Sequence, residues 1–188
     1  MTARPANREV RARMGEAFRR YLDYWESLPA EGLVPRRADV DPIALSDLLP
    51  DLILARFEGE GRLTLRLVGT GHVTRWGSDL TGSNYLDLIP AAMREVAWAR
   101  LRLIVDHPVG THTFRMESYK SGRTVRMESV SLPLRGPSGA VDTMMNFSRE
   151  AETGLVPAQG LGPGQAFVDA VETRYLDLGA GEPAAPPR

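Results

Sequence analysis

Apolar side chains recur at three- and four-residue steps through residues 6–28. Val10, Met14, Phe18, Tyr21, Trp25 and Leu28 form one stripe, with Arg11, Glu16, Arg20, Asp23 and Glu26 spread over the other sides. This spacing predicts an amphipathic helix, stopped at Leu28-Pro29 because the residue before a proline is pushed out of the helical region. A stripe carrying so many large aromatics must pack on something: a sheet of the same chain, the same helix of a second copy, or both. Val10, Met14, Phe18, Tyr21 and Trp25 are therefore the candidate dimer or partner contacts.

After a loop over 31–39, Asp41-Pro42 reads as an N-cap followed by proline at the first helical position. It predicts a short helix through Ile43, Leu45, Leu48 and Leu49, ending before Pro50. Two strand-like runs follow, 52–57 and 63–68, joined by Gly59-Glu60-Gly61, a hairpin signal. The periodicity then breaks up from Gly69 to Pro90. A helix is predicted over 91–105, with Met93, Val96, Ala97, Leu101 and Ile104 on one stripe and Asp106-His107-Pro108 closing it.

Three further strands are predicted at about 109–119, 123–134 and 140–149. Lys120-Ser121-Gly122 and Gly136-Pro137-Ser138-Gly139 supply the turns between them. Residues 151–165 and 179–188 are rich in Gly, Pro and Ala, a linker composition flanking one short helix at 166–178. This order of elements predicts an α+β fold. Its core is a five-stranded antiparallel sheet, with short helices and one long helix mainly on one face. The implied division is an N-terminal amphipathic helix (1–30), a sheet domain (31–150) and a largely flexible tail (151–188).

Composition narrows the function classes. A chain of 188 residues with 43% hydrophobic and 25% charged side chains is a globular domain with enough chain for a core. The net charge of −1 predicts no nucleic-acid or anionic-membrane footprint over the whole surface. Charge is uneven along the chain, the first 37 residues being Arg-rich and the tail acidic. Cysteine is absent, which excludes disulfides, thiolate nucleophiles and Cys-based zinc sites. The chain carries no apolar run near the ~20 residues of a membrane span, and its N-terminus lacks a signal-peptide core, so a cytoplasmic location is expected.

Gly69-Thr70-Gly71 after a predicted strand raises the question of a phosphate loop. A dinucleotide fingerprint needs a third glycine inside a parallel βαβ unit, and His72-Val73-Thr74 follows instead. A Walker loop needs Gly-Lys-Ser/Thr, and the single lysine is Lys120 in a turn. The flanking strands also read as hairpin members. Glu117, Glu128 and Asp142 fall on the last three strands, but with Arg115, Arg123 and Arg126 nearby they read as cross-strand ion pairs on a wet face, not an acid–base set. No metal-spaced cluster or catalytic triad is present, and no enzymatic activity is expected.

The stretch GTGHVTRWGSDLTGSNYLDLIP resembles the middle of a PAS domain. Gly77-Ser78-Asp79-Leu80-Thr81-Gly82 and Asp87-Leu88-Ile89-Pro90 stand where that family has a Gly-x-x-x-x-Gly element and the phrase before its long helix. The region of Trp25, Pro42…Leu48-Leu49-Pro50, Arg66–Thr70 and Asp79–Gly82 are together similar to stand-alone bacterial PAS proteins of about this size, over residues 15–150. The resemblance implies a five-stranded antiparallel sheet covered by helices, with a small-molecule pocket between them and a sensory or docking role.

On this resemblance the absence of Cys excludes a thiol-adduct flavin and a covalent cinnamoyl chromophore. Haem would need an axial ligand from His72, His107 or His112, each better explained as an ordinary polar residue, and no cofactor is specified. His107 reads as a cap on the long helix. Arg66, Thr70, His72, Trp76, Tyr85 and His112 are the candidate ligand-binding residues, with an ion pair as the simpler role for Arg66 and core packing for the aromatics.

Three functions are open on these grounds. The first is a non-catalytic sensory or regulatory protein acting through protein contacts, as a homodimer or on a partner in trans, gated by a small ligand. The second is a ligand carrier or small cavity enzyme of a cone-shaped α+β fold. The third is a docking-only interaction domain.

Overall fold

Strand-forming runs and tight turns assemble one antiparallel sheet, which the computed structural model describes over residues 5–118, 124–151, 170–181 and 183. Leu52–Phe57 (β1) and Leu63–Val68 (β2) form the expected hairpin, and Leu63 pairs with Phe57 at its closed end. Val109–Ser118 (β3), Thr124–Arg135 (β4) and Val141–Glu150 (β5) form the meander, and β5 returns to pair with β1. The strand order is β2-β1-β5-β4-β3-β6.

The last of these corrects two expectations, a helix at 166–178 and a five-stranded sheet. Ala170–Asp177 is a sixth strand, β6, lying antiparallel on the outer edge of β3. Thr173 and Tyr175 favour a pleated surface, and the open edge of β3 satisfies the backbone of the segment. Residues 166–169 and most of the Gly/Pro/Ala-rich tail lie outside the described residues.

The single helix expected over 6–28 is two, Pro5–Ala12 (α1) and Glu16–Ser27 (α2), separated where Gly15 adopts an extended conformation as the α2 N-cap. Glycine is a poor helix former, so the break falls there. The short helix expected over 43–49 is likewise two separate 3₁₀ turns, Ile43–Leu45 and Leu49–Asp51.

Strand alternation gives the sheet two apolar faces, and each is covered. On one, Val10, Met14, Phe18, Tyr21, Leu22 and Trp25 pack on Val130, Leu132, Leu134, Met145, Phe147 and Leu176. The Tyr21 hydroxyl donates to the Met145 carbonyl at 2.8 Å, and Trp25 Nε1 donates to the Pro133 carbonyl at 2.9 Å. The proposed dimer or partner contacts Val10, Met14, Phe18, Tyr21 and Trp25 are therefore corrected: each is buried against this chain's own sheet, at 7% exposure or less, and offers no open seam. A Tyr21→Phe variant is expected to lose ~1 kcal/mol in urea unfolding, because the buried Met145 carbonyl loses its donor.

The other face carries Ile53, Ala55, Phe57, Leu63, Leu65 and Met144. It lies under Thr70–Trp76 (α3), the 3₁₀ turns Tyr85–Leu88 and Ala91–Met93, and Arg94–Asp106 (α4). Gly69 and Gly71 serve the docking of α3. A Cβ at Gly69 would lie 2.3 Å from the Leu49 carbonyl oxygen, and one at Gly71 would lie 2.6 Å from Asp51 Oδ1. These glycines permit close backbone approach, not phosphate binding.

Candidate functional site

Below α4 the sheet does not present an apolar floor. Cross-strand pairing aligns side chains of one face into rungs, so residues spaced by two along each strand meet their partners across the sheet. One rung runs Tyr175, Thr111, Ser131, Asn146, Ile53 across β6, β3, β4, β5 and β1. The next runs Thr173, Thr113, Ser129, Ser148. All but Ser148 line a cavity of about 320 Å³ between sheet and helices. Its roof is Ile89, Met93, Val96, Ala97, Leu101 and Ile104, with Tyr85 and Arg100 also on the wall. Ala92 and Thr173 are the exposed residues of its rim.

Arg115 closes one end of the floor, 6% exposed. Its Nε donates to Glu117 Oε1 at 2.8 Å and its Nη2 lies 2.6 Å from the same oxygen. Nη1 donates to Ser129 Oγ at 2.8 Å and Nη2 to Ser148 Oγ at 3.1 Å. A buried guanidinium is thus neutralised by a buried carboxylate and held by two hydroxyls. Burial pushes the Tyr85 phenol above its ordinary value; Arg115 works against that and Glu117 with it. Burial likewise raises Tyr175, opposed by Arg100. Both phenols stay protonated donors at neutral pH.

Of the six ligand candidates read from the sequence, only Tyr85 lines this cavity. Arg66 is exposed on the edge strand β2, 4.0 Å from Glu58, the simpler ion-pair role. Thr70 is exposed in the first turn of α3, and Trp76 packs on Val125 and Met127 beside the cavity. His112 sits on the opposite sheet face, where its Nε2 meets Glu128 Oε1 at 2.8 Å. His107 is the C-cap residue of α4, its backbone N–H donating to the Leu103 carbonyl at 3.1 Å, and its ring Nε2 reaches the Gly181 carbonyl at 3.1 Å, tying down the chain after β6.

His72 is a structural anchor of α3. Its Nε2 donates to the Asp51 carbonyl at 3.0 Å and its Nδ1 accepts from Arg75 Nη2 at 3.1 Å, which fixes a neutral ring. Burial, and then the Arg75 charge, push it from its ordinary 6.5 down to about 4. Nearby, burial raises the Asp51 carboxyl, but hydrogen bonds from Arg149 and Arg75 outweigh it and hold the group below its usual range.

The neutral His72 ring favours the fold above pH ~6.5, and protonation of the unfolded chain removes that contribution as pH falls toward 4. Between pH 7 and 5 the loss is ~2 kcal/mol. A His72→Gln variant is expected to flatten this part of the stability–pH curve by that amount in urea titrations; an unchanged slope would contradict the assignment.

The polar rungs are not among the sequence expectations, and Arg115 enters there as an ion-pair residue, not as part of a cavity floor. Their signal was the alternation Thr111, Thr113, Arg115, Glu117 on β3, matched by Ser129 and Ser131 on β4 and Asn146 and Ser148 on β5. Such a row ordinarily marks a wet face; here α4 covers it. The expectation of Arg115, Glu117 and Glu128 on a wet face is corrected accordingly, because all three are buried. Glu117 and Glu128 lie on opposite faces of the sheet, and Asp142 pairs with Arg56 at 3.0 Å, so these carboxylates do not converge. No metal-ligating group of side chains occurs among the described residues. No described helix is long and apolar enough to cross a membrane.

Similar solved structures include a light-oxygen-voltage domain studied with a flavin analogue, 14% identical, covering 58% of this chain and 83% of that chain at a TM-score of 0.46. The dark structure of the blue-light photoreceptor Aureochrome1 LOV is 16% identical, covering 66% of this chain and 86% of that chain, also at 0.46. The PAS domain of a protein from Colwellia psychrerythraea is 13% identical, covering 59% of this chain and 98% of that chain at 0.42. No curated protein matches the chain. A family model for the PAS domain matches residues 14–147, a span that holds α2, β1 to β4, most of β5 and the helices roofing the cavity. The chain belongs to the PAS domain family.

Proposed function

We propose that this chain is a non-catalytic sensory or regulatory PAS protein, acting through protein–protein contacts and gated by a small molecule held between the sheet and α4. The observation that carries this reading is the cavity itself: about 320 Å³, roofed by aliphatic side chains and floored by hydroxyl and amide groups. Apolar walls with a few convergent polar groups are the usual composition of a small-molecule site. A domain with a filled core would gain nothing from burying those polar groups.

β6 supplies a route from the cavity to the outside of the domain. Thr173 and Tyr175 line the cavity, while Leu176, between the strand's polar neighbours, packs in the core with α1 and α2. Asn7 of α1 exchanges hydrogen bonds with the Asp177 backbone at 2.9 and 2.8 Å. A ligand that grips β6 therefore biases the position of α1, and output passes to a second copy of the chain or to another protein.

Filling the cavity tests the gating. Ala97 faces the cavity from α4, and an Ala97→Phe variant occupies ligand space. Affinity capture from lysate of the source organism is expected to recover a partner whose yield differs at least fivefold between wild type and variant. Equal yields would reduce the protein to a docking platform.

A further inference from the structure

We infer that the cavity takes an uncharged, largely apolar molecule bearing one donor–acceptor group, an amide or lactam, seated on Ser131 and Asn146. This deepens the cavity reading above and rests on it. No carboxylate is among the lining residues, and two guanidinium groups are, so a cation has no counter-ion there.

An anion fares no better at the floor. Arg115 already gives three hydrogen bonds and a close charge pair to Glu117, Ser129 and Ser148. To bind it, an anionic ligand would have to displace Glu117, a carboxylate only 2% exposed, from its close charge pair with Arg115. Arg100, the other cation, stands at the α4 wall and has interactions of its own within the chain.

The neutral rung is differently placed. Asn146 and Ser131 are each 7% exposed, and Asn146 Nδ2 donates to Ser131 Oγ at 2.9 Å. That bond uses one amide hydrogen and one hydroxyl lone pair. By inventory it leaves the second amide hydrogen, the amide oxygen and the hydroxyl proton. Either orientation of the Asn146 amide presents a donor and an acceptor side by side, the pattern that a primary amide or lactam complements. Facing this rung are Leu101 and Ile104 of α4 with Met93 and Val96, which suit an aliphatic or aromatic body.

A matched probe set tests the class: 3-phenylpropionamide, 3-phenylpropionate and propylbenzene, titrated calorimetrically into the full chain at pH 7. The amide is expected to bind at least tenfold tighter than the carboxylate. Asn146→Leu is expected to erase that preference while propylbenzene still binds, which also reports that the variant is folded. Ser131→Ala, a smaller change, should weaken the amide severalfold. A carboxylate binding as tightly as the amide would overturn the uncharged class and leave the cavity reading standing. An amide preference that survives in Asn146→Leu would overturn the assignment to this rung. Failure of all three probes, propylbenzene included, would overturn the cavity reading on which the inference rests.

Discussion

A Glu117→Gln variant is expected to lose ~3–5 kcal/mol of folding stability in chemical denaturation. Glu117 is 2% exposed and is the carboxylate against the buried Arg115 guanidinium, at 2.6 Å. Gln keeps the shape and an acceptor oxygen but removes the negative charge that faces the buried guanidinium at 2.6 Å. The size of the effect reflects the cost of an uncompensated charge and is not the net worth of the pair. A double variant, Arg115→Met with Glu117→Leu, is therefore expected to recover most of the loss, because burying neither charge avoids both desolvation costs. A Glu117→Gln protein within ~1 kcal/mol of wild type would mean that the pair is solvated and that the cavity floor is wetter than described.

The second large effect is expected at Gly69→Ala, at ~3 kcal/mol or more. Backbone conformation is not the cause, since Gly69 has φ −63, which any residue adopts. The added Cβ would meet the carbonyl oxygens of Leu49 and Pro50 at 2.3 and 2.4 Å. Backbone cannot rotate away as a side chain does, so α3 would have to lift off the Leu49–Asp51 turn, breaking the His72 and Arg75 bonds to Asp51. Gly15→Ala is the internal control. Its Cβ would meet Phe18 at an ordinary 3.5 Å, and φ there is −61. It should change stability by less than ~1 kcal/mol. Equal effects at the two glycines would contradict the packing account of the Gly-Thr-Gly motif.

Much of this architecture was legible in the sequence because local signals and tertiary demands agree. The β1–β2 hairpin sits at the residues where alternation and its Gly-containing turn place it. The stripe from Val10 to Trp25 was readable as an apolar face, but what it packs on was not. A stripe records burial and says nothing of the partner, and here the partner is the chain's own sheet. β6 was missed because Ala170–Asp177 is a strand only by virtue of the β3 edge it completes, a contact some sixty residues away in sequence.

The candidate site was less legible for a related reason. Arg66, Thr70, His72 and Trp76 are chemically distinctive in the sequence, yet of the candidates in that region only Tyr85 reaches the cavity. The floor is made of Thr, Ser and Asn side chains that are unremarkable singly. Their meaning comes from register, which aligns Thr111, Ser131 and Asn146 on one rung under α4. Parity alone could not reveal this, because a polar row under a helix and a polar row under water have the same sequence.

Native mass spectrometry of the protein taken from its source organism under non-denaturing conditions, wild type beside Ala97→Phe, reports whether the cavity is occupied. A discrete small mass is expected to stay with the wild type, to be released on denaturation and to be absent from the variant whose cavity is filled. A wild type that carries no such mass, or a mass held equally by both proteins, would contradict ligand occupancy of the cavity between the sheet and α4.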